Sequence, residues 1–114
     1  MIQKQIRGQC LVVLVTCPNR RVAQRLARAI VERHLAACVN IVPQVESLFW
    51  WEGKINRCRE SLLLIKTTAK RFNALRRTVV SLHPYDVPEV IALPITTGHQ
   101  PYLAWVASRS SRGA

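Results

Sequence analysis

Acidic residues are scarce in this chain, with six Asp and Glu against seventeen Lys and Arg in 114 residues, a formal charge of +11. The imbalance does not forbid folding, because 49% of the residues are hydrophobic, enough to offset the conformational entropy of ordering the chain. It bears on solubility and on association with polyanions, not on fold. Room for a second domain is also missing, since a chain of this length is the usual size of one. Linkers, internal repeats and low-complexity tracts are absent. No run approaches the ~18 to 20 apolar residues that span a bilayer.

Paired cysteines are the next absence. Cys10, Cys17, Cys38 and Cys58 form no CxxC motif, which excludes a zinc-finger type of structural site. Most sit in apolar or alternating stretches, as buried thiols of a reducing compartment do. The expectation is a cytoplasmic protein without disulfides. Lys4 and Arg7 followed by the apolar residues 11 to 15 and Thr16-Cys17 mimic a lipoprotein leader. The apolar run is short, Thr16 is too large before the cut, and cleavage would remove the best strand, so no leader is expected.

Residues 10 to 17 form a β-branched run apolar on both faces, which predicts a central strand covered on two sides. From 20 to 37, Val22, Ala23, Leu26, Ala27, Ile30 and Val31 keep helical spacing opposite Arg21, Arg25, Arg28 and Glu32, with Asn19 as N-cap. Residues 38 to 51 alternate as a strand interrupted by Pro43, implying a bulge or an edge. Glu52-Gly53-Lys54 is a turn, and residues 55 to 67 return as the second arm of a β-hairpin. A second amphipathic helix covers 69 to 82, with Phe72, Leu75, Val79 and Leu82 inward. A short strand at 90 to 95 and a terminal helix at 101 to 108, bearing Leu103, Trp105 and Val106, follow. The order βαββαβ predicts an α+β, ferredoxin-like sandwich with a long projecting hairpin and a short C-terminal helix. Residues 1 to 9 are then an N-terminal extension, 10 to 108 the single domain, and 109 to 114 a flexible tail.

Two features of the strands demand a partner. The aliphatics of 11 to 15 and 62 to 65 occupy both faces, although helices cover only one. The hairpin arms, about 13 residues at ~3.3 Å each, outrun the ~35 Å diameter expected of such a chain. Phe49-Trp50-Trp51 at the projecting tip would anchor on a neighbour, so a homo-oligomer packed sheet to sheet is expected.

Six motifs in order, Leu35-Ala36-Ala37-Cys38-Val39-Asn40, Trp51-Glu52-Gly53-Lys54, Lys66-Thr67-Thr68, His83-Pro84-Tyr85, Pro88-Glu89 and Pro101-Tyr102-Leu103-Ala104-Trp105, resemble the CutA family of divalent-cation tolerance proteins over roughly residues 10 to 107. The resemblance implies a ferredoxin-like homotrimer with clefts between subunits, similar in architecture to PII signalling proteins. It implies a role in tolerance to divalent metals such as copper, and no established enzymatic reaction. The one cofactor it suggests is a weakly held divalent metal, copper or zinc, and no organic cofactor.

By the same resemblance His83 and Glu89 are metal-site candidates, a donor pair suited to copper or zinc. The competing reading has His83 closing the second helix and Glu89 pairing with an Arg. Some family members carry a cysteine where this chain has Val15. Cys17 points to the same side about 7 Å further along, and Cys17 and Cys38 stand as further candidates against the alternative of buried thiols. Lys66, Tyr85, Trp51 and Tyr102 match positions lining the intersubunit cleft, Trp51 and Tyr102 serving equally as interface packing. His34 reads as a solvated cap residue near the end of the first helix.

The expected function is therefore a trimeric, non-enzymatic divalent-cation tolerance protein with metal ions as its partners and no membrane. Two alternatives are a PII-like small-ligand signalling protein and a basic ferredoxin-like nucleic-acid module. RNA-recognition motifs stack bases on aromatic residues of the third strand. Here that strand, Cys58-Arg59-Glu60-Ser61-Leu62-Leu63-Leu64-Ile65, has none, so no specific nucleic-acid partner is expected. An enzyme is disfavoured because no nucleophile and base lie at a recognisable spacing. The positive charge falls almost wholly outside the hairpin, on the solvent faces of the two helices.

Overall fold

In the computed structural model, which describes residues 9–111, the apolar run Cys10–Cys17 is strand β1, hydrogen-bonded on both sides. Helix α1 (Arg20–Glu32) follows, its first turn capped by Asn19, whose side chain accepts from the Val22 N–H at 2.9 Å. Strands β2 (Cys38–Trp51) and β3 (Lys54–Thr68) form the hairpin. A single 3-10 turn (Ala69–Arg71) leads into helix α2 (Phe72–Leu82), and strand β4 (Ile91–Pro94) and helix α3 (Gln100–Arg109) complete the fold. The sheet is antiparallel throughout with strand order β2-β3-β1-β4. No helix among the described residues is long and apolar enough to cross a membrane.

Alternation in the strands sorts side chains between two layers. Val13, Val15, Cys17, Leu63 and Ile65 meet Val22, Ala23, Leu26 and Ile30 of α1 and Leu75 and Val79 of α2 in one core. Each large aliphatic fully buried there contributes about 1.5 to 3 kcal/mol. Val12, Leu14, Leu62 and Leu64 point to the opposite face, where they stay half-buried. Helix α3 lies against one end of that face, with the Cys10 thiol donating to the Leu103 carbonyl at 3.6 Å.

The hairpin follows its sequence cues. Glu52 and Gly53 have φ of 51° and 77°, the two left-handed residues of a type I′ turn, so Lys54 is already strand. Pro43 marks both an edge and a bulge: β2 is the outer strand, and the register shifts between Val42 and Val45. Ser61 Oγ donates to the Pro43 carbonyl at 2.8 Å within that bulge. The molecule is 45 Å long.

Several details differ from the sequence reading. Helix α1 stops at Glu32 and not at Ala37, because His34 adopts φ 55°. The His34 N–H bonds the Val31 carbonyl and the Leu35 N–H bonds the Ile30 carbonyl, a Schellman end with histidine in the position glycine usually takes. Leu35 and Ala36 then turn into the core, held by Thr67 Oγ1 donating to the Leu35 carbonyl at 2.6 Å. Val31, read as inward, is 40% exposed, and Leu82 is 37% exposed. Of the expected tail, Arg109 is the last residue of α3 and Ser110 is buried, because the Ser110 N–H continues the helix to the Val106 carbonyl. Residues 1–8 and 112–114 lie outside the described residues.

Candidate functional site

The sequence-predicted residues fall into three places. The first is where β1 ends. Cys17 pairs with Ser61 across the ladder, and the next residue of β3, Glu60, is only 8% exposed. The segment after α2 folds over this end. His83 Nε2 donates to the Thr16 carbonyl at 2.7 Å, and the Tyr85 N–H donates to His83 Nδ1 at 3.1 Å. A carbonyl can only accept and an N–H can only donate, so the two bonds fix the imidazole tautomer and occupy both ring nitrogens. His83, buried, therefore pins the loop to β1, and its ring packs tilted at 48° against Tyr85 with centroids 4.7 Å apart.

The pinned loop delivers Tyr85 and Glu89 to Glu60. Tyr85 Oη donates to Glu60 Oε2 at 2.9 Å. Burial, and then the Glu60 charge, push the Glu89 carboxyl above the usual carboxylate range. Burial and the bond to Glu60 likewise raise the Tyr85 phenol. Cys17 is pushed up to about 11 by burial with Glu60 adding to it, and Cys58 is raised by the same two causes. Neither Glu60 nor Glu89 has an ion-pair partner among the described residues, whose ion pairs are Arg28–Glu32 and Arg57–Glu46, both exposed. The result is a pair of adjoining carboxylates with one phenol donor, two protonated thiols and no cation.

The second place lies at the opposite end of the ladder. Lys66 pairs with Val12 and Cys38 across its two neighbours, and α3 brings Tyr102 there. The Tyr102 phenol is raised by burial, then by the neighbouring Cys38 and Cys10 thiols. Lys66 lies five positions along β3 from Ser61, so Cys38 stands about 17 Å along the strand from the level of Cys17. The third place is the hairpin tip, where Trp51 is 62% exposed.

One chain thus brings together His83, Tyr85, Glu89 and Cys17, and separately Lys66, Tyr102 and Cys38, while Trp51 stands alone. Sequence reasoning missed Glu60, the hub of the first group. Its signal was a lone acid at the lip of the apolar run of β3, made meaningful only by the partner that the fold supplies 25 residues later. Val15, like Cys17, is fully buried in the helix-side core. No group of three or more His, Cys, Asp or Glu side chains able to hold a metal ion occurs among the described residues. A tight resident metal centre therefore does not fit a single chain.

Comparison with known proteins is concordant. The family profile described as CutA1 divalent ion tolerance protein matches residues 11–109. A relative called Protein CutA, from Mus musculus, is 50% identical over 101 residues, 89% of this chain, and this chain spans only 57% of its length. A Divalent-cation tolerance protein CutA from Thermus thermophilus is 50% identical over 95 residues, 83% of this chain and 92% of its own. A solved structure of the divalent cation tolerance protein (Cut A1) from the same organism superposes with a TM-score of 0.88 at 47% identity, covering 90% of this chain and 99% of that one.

Proposed function

The chain belongs to the CutA1 divalent ion tolerance family, and from that premise we propose that it is a non-enzymatic homotrimer of ferredoxin-like subunits that holds a divalent ion, copper or zinc, weakly as cargo. The observation that carries this reading is the carboxylate pair of buried Glu60 and, beside it, Glu89, which is exposed at its outer side and only partly desolvated, with no ion-pair partner for either among the described residues. Two like charges held close in a partly desolvated site favour a cation bound between them. His83 and Cys17 stand at the same end. The His83 ring joins the donors only by releasing Thr16 or Tyr85, and the Cys17 thiol only by losing a firmly held proton. Those costs favour weak, reversible binding. Cys38 belongs with Lys66 and Tyr102 in a separate polar group.

Strand order and the placing of α1 and α2 over one face support the ferredoxin-like topology. The half-buried aliphatics of the other face and the exposed Trp50 and Trp51 support assembly. In a trimer, Trp51 of one subunit's hairpin is the residue that reaches beside Lys66, Tyr85 or Tyr102 of another to form the cleft. Raised thiols, which are poor nucleophiles at neutral pH, support the absence of catalysis. Four free cysteines support a cytoplasmic location.

Calorimetric titration with copper(II) and with zinc(II) tests the metal reading. Glu89→Gln and Glu60→Gln should each bind at least tenfold more weakly than wild type. Affinities equal to wild type in both variants overturn it.

A further inference from the structure

The helix layer, on the face of the sheet away from Glu60, takes no part in the metal reading. Helix α1 exposes Arg20, Arg21, Arg25 and Arg28, its C-cap adds Arg33, and its one acid, Glu32, is tied to Arg28 at 3.2 Å. The 3-10 turn and α2 add Lys70, Arg71, Arg76 and Arg77 and no acid. Arg71 is half-buried, with Nε donating to the His34 carbonyl at 3.3 Å, and so fastens the start of α2 to the end of α1. Arg21, Arg25 and Arg28 recur at i, i+4 and i+7, a ridge about 10 Å long. Arg76 and Arg77 stand on the neighbouring helix, whose axis is ~8 to 10 Å away by ordinary packing.

Eight of these nine cations are arginine, whose planar fork suits phosphate oxygens better than the lysine ammonium does. Two basic ridges at this separation match the phosphates that flank the grooves of a duplex, ~6 to 12 Å wide. The layer exposes no aromatic side chain on which unpaired bases could stack. Its exposed apolar residues are Val31, Val80 and Leu82, without the aromatic anchors of a lipid-inserting surface. The exposed aromatics, among them Trp50, Trp51 and Trp105, are on the hairpin tip and α3.

We propose that the α1–α2 layer binds the phosphate backbone of duplex nucleic acid without reading its sequence. This binding is independent of the metal reading and uses the opposite face, so both can be occupied together. With about four phosphates engaged per chain, affinity for an arbitrary duplex of about 20 base pairs should fall roughly a hundredfold between 50 and 200 mM salt. A duplex of scrambled sequence should bind equally well. The variant Arg21→Gln/Arg25→Gln/Arg28→Gln should bind at least tenfold more weakly, and its log–log salt slope should lose about 0.9 for each phosphate contact removed. A hairpin variant of equal charge change, Lys54→Gln/Arg57→Gln/Arg59→Gln, should stay within about threefold of wild type at physiological salt, where screening acts over ~8 Å. All six side chains are exposed, and the wild-type salt slope stands even if a variant expresses poorly. Equal losses in the two variants, or tighter binding to single strands or to phosphatidylserine vesicles than to duplex, would overturn the proposal.

Discussion

Tyr85 makes three contacts with two groups: its N–H holds the His83 ring, its own ring packs tilted against that imidazole, and its hydroxyl donates to Glu60. Tyr85→Phe keeps the first two and deletes the third, leaving a buried carboxylate short of its donor. A loss of about 1 to 3 kcal/mol in urea unfolding at neutral pH is expected; an unchanged midpoint would remove Glu60 from the site's core. Glu89 supplies a pH signature. Its carboxyl is held above the ordinary range in the folded chain, so the folded state keeps that proton to higher pH than the unfolded one. The associated stability is complete below the unfolded pKa and is lost as pH rises through the folded value. In chelator, the melting temperature of Glu89→Gln should therefore gain on wild type as pH rises above the ordinary carboxylate range, and a constant difference would deny the shift. Glu60 itself was illegible in the sequence because its meaning comes from the register of β3 and from a loop 25 residues away. His83 was legible as a residue of note, but its chemistry was not, since only the fold shows both ring nitrogens spent on backbone.

At the scale of elements, punctuation decided what could be read. Gly53 and Pro43 announced the turn and the bulge, and both stand where the residues implied. The end of α1 had no such mark. Leu35, Ala36 and Ala37 continue the helical pattern in good helix formers, and what stops the helix is tertiary: Leu35 and Ala36 are worth more in the core, and β3 takes the segment through Thr67 Oγ1 and the Lys66 carbonyl. The chain accepts a left-handed histidine to make that turn, at a cost of roughly 1 to 2 kcal/mol. His34→Gly should relieve it, raising stability by about 1 kcal/mol in thermal unfolding while the Arg71 bond, made to the backbone carbonyl, survives. A drop in melting temperature would mean that the His34 side chain contributes packing.

At the scale of the whole molecule, the alternation of β1 and β3 leaves aliphatics half-covered on the face that α3 reaches only at one end, and the 45 Å axis reflects the reach of the hairpin. Both were legible as length and pattern; the covering of part of that face by α3 was not, because its buried anchor, Val106, sits in a helix whose larger residues, Tyr102 and Trp105, face outward. Light scattering on a sizing column should give about three times 13.0 kDa, and Phe49→Ser/Trp51→Ser at the tip should shift the mass toward the monomer. A wild-type monomer would remove the cleft along with the trimer.

The two outer strands also decide whether the sheet can grow. An exposed row of amide groups beside Leu48, Phe49, Trp50 and Trp51 is a template on which strands of other molecules could stack without limit. Each border of the sheet carries a proline, Pro43 in β2 and Pro94 in the four-residue β4. Proline withdraws a donor from the border, and the bulge at Val42 to Val45 twists what remains out of a flat line. The molecule thus closes its borders to fibril growth without covering the half-buried aliphatic face between them.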